Sequence, residues 1–308
     1  MSTDIKQFSP IKKLGQNFLK KVPKQLIFDP KDYSFNAPTL FIEIGCGPGI
    51  VTKEILLAMA RLGRTNVHFV GIEKDTRFFW HLHKLTEEVS AEVGWRIPNV
   101  LIFNDVLQVD LLRYLSRVGA YTAFNFNSGD WGIWFGGSLP YYVSKKIIDW
   151  TIQQSAKLVQ SGYNLLGREV RFLVQKEVAQ RYVSLPPNAD FLSNYLRLFT
   201  EEGTGNPQIV KSVDKNMFYP APQVDGAILR FVLDSAKLAE YKQRKALAGC
   251  IKRFYAFRRK TIGKILRKHL KAATTAIADL PQELLSKRPE ELTLEEWRQV
   301  CKIVKQAK

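Results

Sequence analysis

From Leu40 to Leu233 short runs of β-branched and aromatic residues alternate with longer stretches of helical periodicity. Thr39–Ile44, Val67–Ile72, Val100–Phe103, Val170–Val174 and Ile228–Val232 read as strands, and Thr52–Leu62, Thr76–Val89 and Ser144–Val159 as helices. This strand–helix–strand rhythm predicts an α/β fold with an open, largely parallel sheet. After Asp234 the strand signal stops, and the remainder reads as helices with turn signals at Asp279-Leu-Pro281 and Arg288-Pro289. The expected organisation is an N-terminal arm over 1–20, a catalytic α/β domain over 21–235 and a smaller all-helical domain over 236–308. No internal repeat or low-complexity tract interrupts it.

The longest apolar runs, Ile55–Ala60 and Val67–Ile72, fall far short of a membrane span, so no membrane role is expected. Met1–Pro10 has neither an apolar signal core nor a long Arg/Ser-rich leader, which makes the cytoplasm the expected compartment; a processed chain of an organellar matrix reads the same. With 45% hydrophobic and 12% aromatic residues in 308, disordered and fibrous classes are excluded. The 46 Lys and Arg against 29 Asp and Glu leave a formal charge of +17, which calls for a polyanionic partner. Cys46, Cys250 and Cys301 are odd in number and far apart, which argues against a disulfide framework. The four histidines stand at no metal-ligand spacing with them, so no metal is expected; His81 and His83 read as surface residues of a helix.

Phe41-Ile-Glu-Ile-Gly-Cys-Gly-Pro-Gly49 follows an apolar strand and leads into a helix. Glycines there let the backbone turn tightly and approach a ligand. The third glycine falls at 49 and position 50 is Ile, so the dinucleotide spacing fails. With Glu43 just ahead, the loop fits S-adenosylmethionine better than a pyrophosphate; the plainer alternative is a structural turn. Cys46 reads as a small loop filler rather than a nucleophile, having no histidine nearby in sequence. Glu73 ends the second strand, where an acid can accept from both hydroxyls of a ribose, and Asp105 ends the third, where it could accept from an adenine amine. Each acid alone reads as a solvated strand end; in register with the glycine loop they form a nucleoside site.

Phe135-Gly-Gly-Ser-Leu-Pro-Tyr-Tyr142 resembles the Asn/Asp-Pro-Pro-Tyr tetrapeptides that hold an exocyclic purine amine for methylation, with Ser138 in the first place. Such a site accepts the amine's hydrogens on a side-chain oxygen and a backbone carbonyl, and stacks an aromatic on the base. With Lys12-Lys-Leu-Gly-Gln-Asn-Phe-Leu19, Val174-Gln-Lys-Glu-Val-Ala-Gln-Arg181, Phe218-Tyr-Pro-Ala-Pro-Gln-Val-Asp225, Arg258-Arg-Lys-Thr-Ile262 and the closing Leu284–Leu294 stretch, the chain is similar nearly end to end to the ribosomal RNA adenine dimethyltransferase family. The resemblance implies a Rossmann-like class I methyltransferase sheet with a helical C-terminal domain. It implies an S-adenosylmethionine pocket lined by Asn17, Leu19, Gly45, Glu73, Asp105 and Ser138, which Gln16 helps to close, with Glu43 and Gly47 belonging to the same loop. Tyr141 would stack on a flipped adenine, Phe218 would face it from a loop, and the carbonyl near Leu139, ahead of Pro140, would accept from the amine. No general base is required. The implied substrate is a pair of adjacent adenosines near the 3′ end of small-subunit ribosomal RNA, modified by a monomer that binds that RNA or the pre-ribosomal small subunit.

The basic excess has a focus. From Lys252 to Lys271 the apolar positions Phe254, Phe257, Ile262, Ile265, Leu266 and Leu270 keep helical spacing while cations, Arg258, Arg259 and Lys260 among them, fill the other face. Such a helix suits a membrane surface, calmodulin or nucleic acid; here RNA phosphates fit best, beside the plainer reading of a solvated face. Two features depart from the family pattern: Ser138 stands where Asn is usual, and Ala120–Gly132 reads as an inserted loop beside the active site. Ser138 raises a rival, a nucleic-acid-binding relative that has lost methyl transfer and serves in ribosome assembly or as a mitochondrial transcription factor. A large-subunit RNA methyltransferase is a further one.

Overall fold

A computed structural model describes residues 8–29, 37–63, 66–119, 129–270 and 277–306. Its strands are β1 (Phe18–Leu19), β2 (Thr39–Ile44), β3 (Val67–Glu73), β4 (Asn99–Phe103), β5 (Asp130–Ser138), β6 (Asn164–Gln175), β7 (Gln208–Val213), β8 (Phe218–Tyr219) and β9 (Gly226–Val232). Seven of them form one sheet in the order β4-β3-β2-β5-β6-β9-β7. β4 to β6 run parallel, and β9 and β7 complete the sheet antiparallel. The order reverses direction between β2 and β5, which opens a crevice at the carboxyl ends of those strands.

The strand runs are apolar throughout because both faces of the sheet are covered. Leu40, Ile42 and Ile44 enter one core, and Phe41 between them enters the other, as a period of two requires. Helices α1 (Ile50–Arg61) and α2 (Phe79–Val93) cover the face bearing Phe41, Phe69 and Trp134. The other face carries α3 (Leu111–Gly119) and α4 (Ser144–Gln160); α5 (Lys176–Val183) and α6 (Phe191–Arg197) follow β6. Beyond Val232 every described element is helical: α7 (Ser235–Ala239), α8 (Tyr241–Tyr255), α9 (Ile262–Lys268) and the helices Gln282–Ser286 and Leu294–Gln306. Phe254 and Trp297, 5.2 Å apart, join the core of α4 and the sheet.

Several expectations are corrected. Lys252–Lys271 is not one helix: α8 ends at Tyr255 and α9 begins at Ile262, with Arg258, Arg259 and Lys260 exposed on the turn between them. Phe254 before the break and Ile262, Ile265 and Leu266 after it all enter one core. Ala120–Ser128 lies outside the described residues, but Trp131 and Gly132, expected in the inserted loop, belong to β5, and Trp131 is buried. Cys250 and Cys301 form a disulfide, Cα atoms 6.1 Å apart. Their 51-residue separation concealed this, because the packing of α8 against Leu294–Gln306 sets their proximity. Phe218 sits in a strand rather than a loop, paired through β8 with β1 in the register Leu19↔Phe218.

Candidate active site

A cavity of about 310 Å³ occupies the crevice at the strand ends. Its wall gathers Gln16, Asn17 and Leu19 from the N-terminal segment, Gly45 and Gly47 after β2, Glu73 from β3 and Asp105 after β4. Ser138, Leu139, Pro140 and Tyr141 come from the end of β5, and Phe218 from β8. Residues spread over two hundred positions meet because the strand ends of the large sheet open onto the crevice and the separate β1–β8 pair brings Leu19 and Phe218 to it. Lys74, Leu107, Tyr142 and Lys146 also line it. Sequence reasoning passed over these four, although Lys74 and Lys146 each stand beside a motif already singled out.

The glycine loop follows from backbone geometry. Gly45, Gly47 and Gly49 have φ of +78°, +49° and +77°, a region in which a side chain would be strained. The Gly45 N–H donates to the Ile72 carbonyl at 2.8 Å and the Gly47 N–H to Glu73 Oε2 at 2.7 Å. Glu73 Oε1 accepts the Asp75 N–H at 2.7 Å. Burial pushes the Glu73 carboxyl upward, against those backbone bonds. Its carboxylate oxygens have more acceptor sites than these backbone bonds fill, which leaves room for a ligand hydroxyl. Asp105 accepts Lys74 Nζ on Oδ2 at 2.8 Å and the Leu107 N–H on Oδ1 at 3.0 Å, and the lysine holds its pKa down.

Glu43 is the exception: it lies fully buried beneath the loop rather than on the cavity wall. Its Oε2 accepts the Thr52 hydroxyl at 2.6 Å, and burial pushes its pKa up to about 8, against that bond. It braces β2 against α1. Cys46 is buried with its thiol pushed well upward, chiefly by burial. His81 is half buried rather than on the surface, and its Nε2–H donates to the Pro48 carbonyl at 3.0 Å. Gln16 lines the cavity while donating from Nε2 to Asp75 Oδ2 at 2.8 Å and accepting the Ile11 N–H at 2.7 Å. Burial would raise the Asp75 pKa, but its bonds to Arg77 and Gln16 outweigh that and lower it.

At the end of β5, Gly137 has φ +140°, and a Cβ there would lie 2.3 Å from the Ile44 carbonyl oxygen. This close approach sets Ser138 beside the glycine loop, where a Cβ on Gly45 would stand 3.7 Å from the Ser138 carbonyl. The carbonyls of Pro140 and Tyr141 accept from Val143 N–H at 3.2 Å and Ser144 Oγ at 3.2 Å, the turn that starts α4. The Tyr141 hydroxyl is buried with no partner, and burial, then Asp225, raises it to about 12. Phe218, 1% exposed, closes the cavity beside Leu19. Among the described residues no three His, Cys, Asp or Glu side chains gather to hold a metal ion. The donor set, backbone N–H groups, carboxylates and one orphaned hydroxyl around an apolar hollow, fits a nucleoside cofactor beside a planar base.

The family model described as ribosomal RNA adenine dimethylase matches residues 8–305. The chain is 31% identical over 299 residues to ribosomal RNA small subunit methyltransferase A of Nitratidesulfovibrio vulgaris, covering 93% of each. It is 29% identical over 292 residues to the protein so named in Clostridium perfringens, covering 93% of this chain and 84% of that one. Among solved structures it is similar to a dimethyladenosine transferase from Plasmodium falciparum, with TM-score 0.62 and 16% identity over 94% of this chain and 98% of that one. The 23S rRNA methyltransferase ErmE gives 0.57 and 17% over 94% and 100%. At such identities these two show the fold, a Rossmann-like methyltransferase sheet. With the motifs, the cavity and the family match agreeing over nearly the whole chain, this protein belongs to the ribosomal RNA adenine dimethylase family, S-adenosylmethionine-dependent enzymes.

Proposed function

We propose that this protein converts two adjacent adenosines near the 3′ end of small-subunit ribosomal RNA to N6,N6-dimethyladenosine. The observation that carries the reading is the single cavity in which Ser138 and the unpartnered Tyr141 hydroxyl meet Glu73 and Asp105. Glu73 would take the ribose hydroxyls on its free acceptor sites, and Asp105 the adenine amine in exchange for Lys74. Gln16, Asn17, Leu19, Gly45, Gly47 and Ser138 would wall the pocket. Bound there, S-adenosylmethionine supplies an electrophilic methyl group on sulfur.

The chain's own part is positioning. Tyr141 stacks on the flipped adenine and Phe218 closes the opposite side. The Ser138 hydroxyl and the carbonyl near Leu139 accept the amine's hydrogens, which turns the nitrogen lone pair toward the methyl donor. The proton leaves to water, since an alkylated amine needs no strong base. Residues 1–20 serve as an arm, 21–235 as the catalytic part and 236–308 as an RNA-binding part in which Arg258, Arg259 and Lys260 meet phosphates. We place the activity in the cytoplasm or an organellar matrix, as a monomer; no helix among the described residues is long and apolar enough to cross a membrane.

The test is transfer of labelled methyl groups to small-subunit particles from cells lacking the protein, followed by mass spectrometry of the RNA. Two dimethylated neighbouring adenosines are expected. No transfer by the parent, with transfer by Ser138→Asn, would instead mark a binding factor with a silenced pocket.

A further inference from the structure

A second cleft, of about 260 Å³, opens beside the first turn of α4, between that helix, α6 and α8. Its floor is internally satisfied. Asp149 accepts from both Tyr195 Oη and Lys245 Nζ, and Lys245 Nζ stands 4.8 Å above the Tyr195 ring. Its rim is not. Lys145 of α4 and Lys252 of α8 are exposed, and neither forms an ion pair with a described residue. Three lysines thus line the cleft against one carboxylate that is already engaged.

Gly249 adds an independent observation. It lies inside the 15-residue α8, where glycine is a poorer choice than alanine. A Cβ there would meet nothing within 4 Å, so packing within this chain does not require its absence. An unforced glycine on the wall of a basic cleft leaves room for the close approach of something from outside.

The position of the cleft says what approaches. Lys146 lines the cavity that holds Tyr141, and Lys145, its neighbour in the chain, lines the second cleft. The two linings therefore share the first turn of α4, at adjacent residues of the chain. We propose that this cleft binds a phosphodiester of the RNA strand next to the target adenosine, with Lys145 and Lys252 supplying the charge and Gly249 the clearance. The proposal rests on the reading of Ser138–Tyr141 as the target pocket.

The test uses the full chain and a small-subunit 3′-terminal RNA hairpin carrying the two adenosines, with and without a neutral methylphosphonate at each linkage flanking them. Lys145→Gln with Lys252→Gln should reduce the slope of log affinity against log salt by about 0.7, one phosphate contact on a single strand. Affinity for S-adenosylmethionine should stay unchanged. One methylphosphonate should weaken the parent and add nothing in the double variant. Gly249→Gln, which fills the cleft and keeps every charge, should weaken RNA binding while its melting temperature holds or rises. An unchanged slope, parental RNA affinity in well-folded Gly249→Gln, or insensitivity to all the methylphosphonates overturns the proposal. Methyl transfer that persists while the slope is unchanged sinks the cleft alone. A reduced slope in a protein that transfers no methyl sinks the activity, and with it the placement beside the target only if the methylphosphonate effect is also absent.

Discussion

Glu73 Oε2 accepts the Gly47 N–H at 2.7 Å, so the acid at the end of β3 holds the glycine loop after β2 in shape before any ligand arrives. The carboxylate has two duties, loop and ribose. Glu73→Ala should lose both, and because a hydrogen bond to a charged group is worth roughly 1.5–3 kcal/mol, cofactor affinity should fall about tenfold or more. Glu73→Gln can accept from only one of the Gly47 and Asp75 N–H groups and should fall in between. Calorimetric titration that finds the parent's affinity in Glu73→Ala would remove Glu73 from the site.

Gly137 permits the approach of β5 to Ile44 that no side chain allows. Gly137→Ala places a Cβ against a backbone oxygen at a left-handed φ, and should destabilise the protein by roughly 2–3 kcal/mol or more. Denaturant unfolding checks this. Parental stability would mean that β5 ends differently.

Glu43 links stability to pH. Its folded pKa of about 8 exceeds the ordinary 4.5, so its contribution is complete below pH 4.5 and is lost as pH rises through about 8. Relative to Glu43→Gln, the parent should lose on the order of 1 kcal/mol per pH unit within that window. Urea unfolding at pH 5, 6.5 and 8 decides it, and parallel profiles for the two proteins would defeat it.

Ser138 and its neighbours line the cavity where the amine is proposed to sit. Ser138→Ala should slow methyl transfer by roughly 10- to 1000-fold, the usual loss when one positioned polar partner of a reacting group is removed. Ser138→Asn should be tolerated or faster. Initial rates with labelled cofactor and small-subunit particles measure both, and an unaffected Ser138→Ala would leave the serine without a part in catalysis.

Arg258, Arg259 and Lys260 stand exposed on the turn between α8 and α9. Replacing all three by Gln should lower the salt slope of RNA binding by about 2, with cofactor affinity intact. Filter-binding titrations at several salt concentrations show it, and an unchanged slope would make this turn a solvated surface.

Much of the site could be read from the chain because its pieces are local. A glycine-rich turn after a strand, and acids at the ends of the next two, are signatures of neighbouring residues, and Gly45, Glu73 and Asp105 do line one cavity. The alternating runs likewise reported β2, β3 and β9, whose side chains must be apolar wherever both sheet faces are covered. β5 escaped notice, since its glycines and tryptophans look like a loop until Gly136 and Gly137 are seen against Trp134 and Ile44. Contacts across long separations were decided by packing alone. Gln16 reaches Asp75, β1 pairs with β8, and Cys250 meets Cys301. Local pattern sets which residues must be buried or must turn; which of them meet depends on how the sheet orders its strands and how the helices pack over it, and that order is a property of the whole chain.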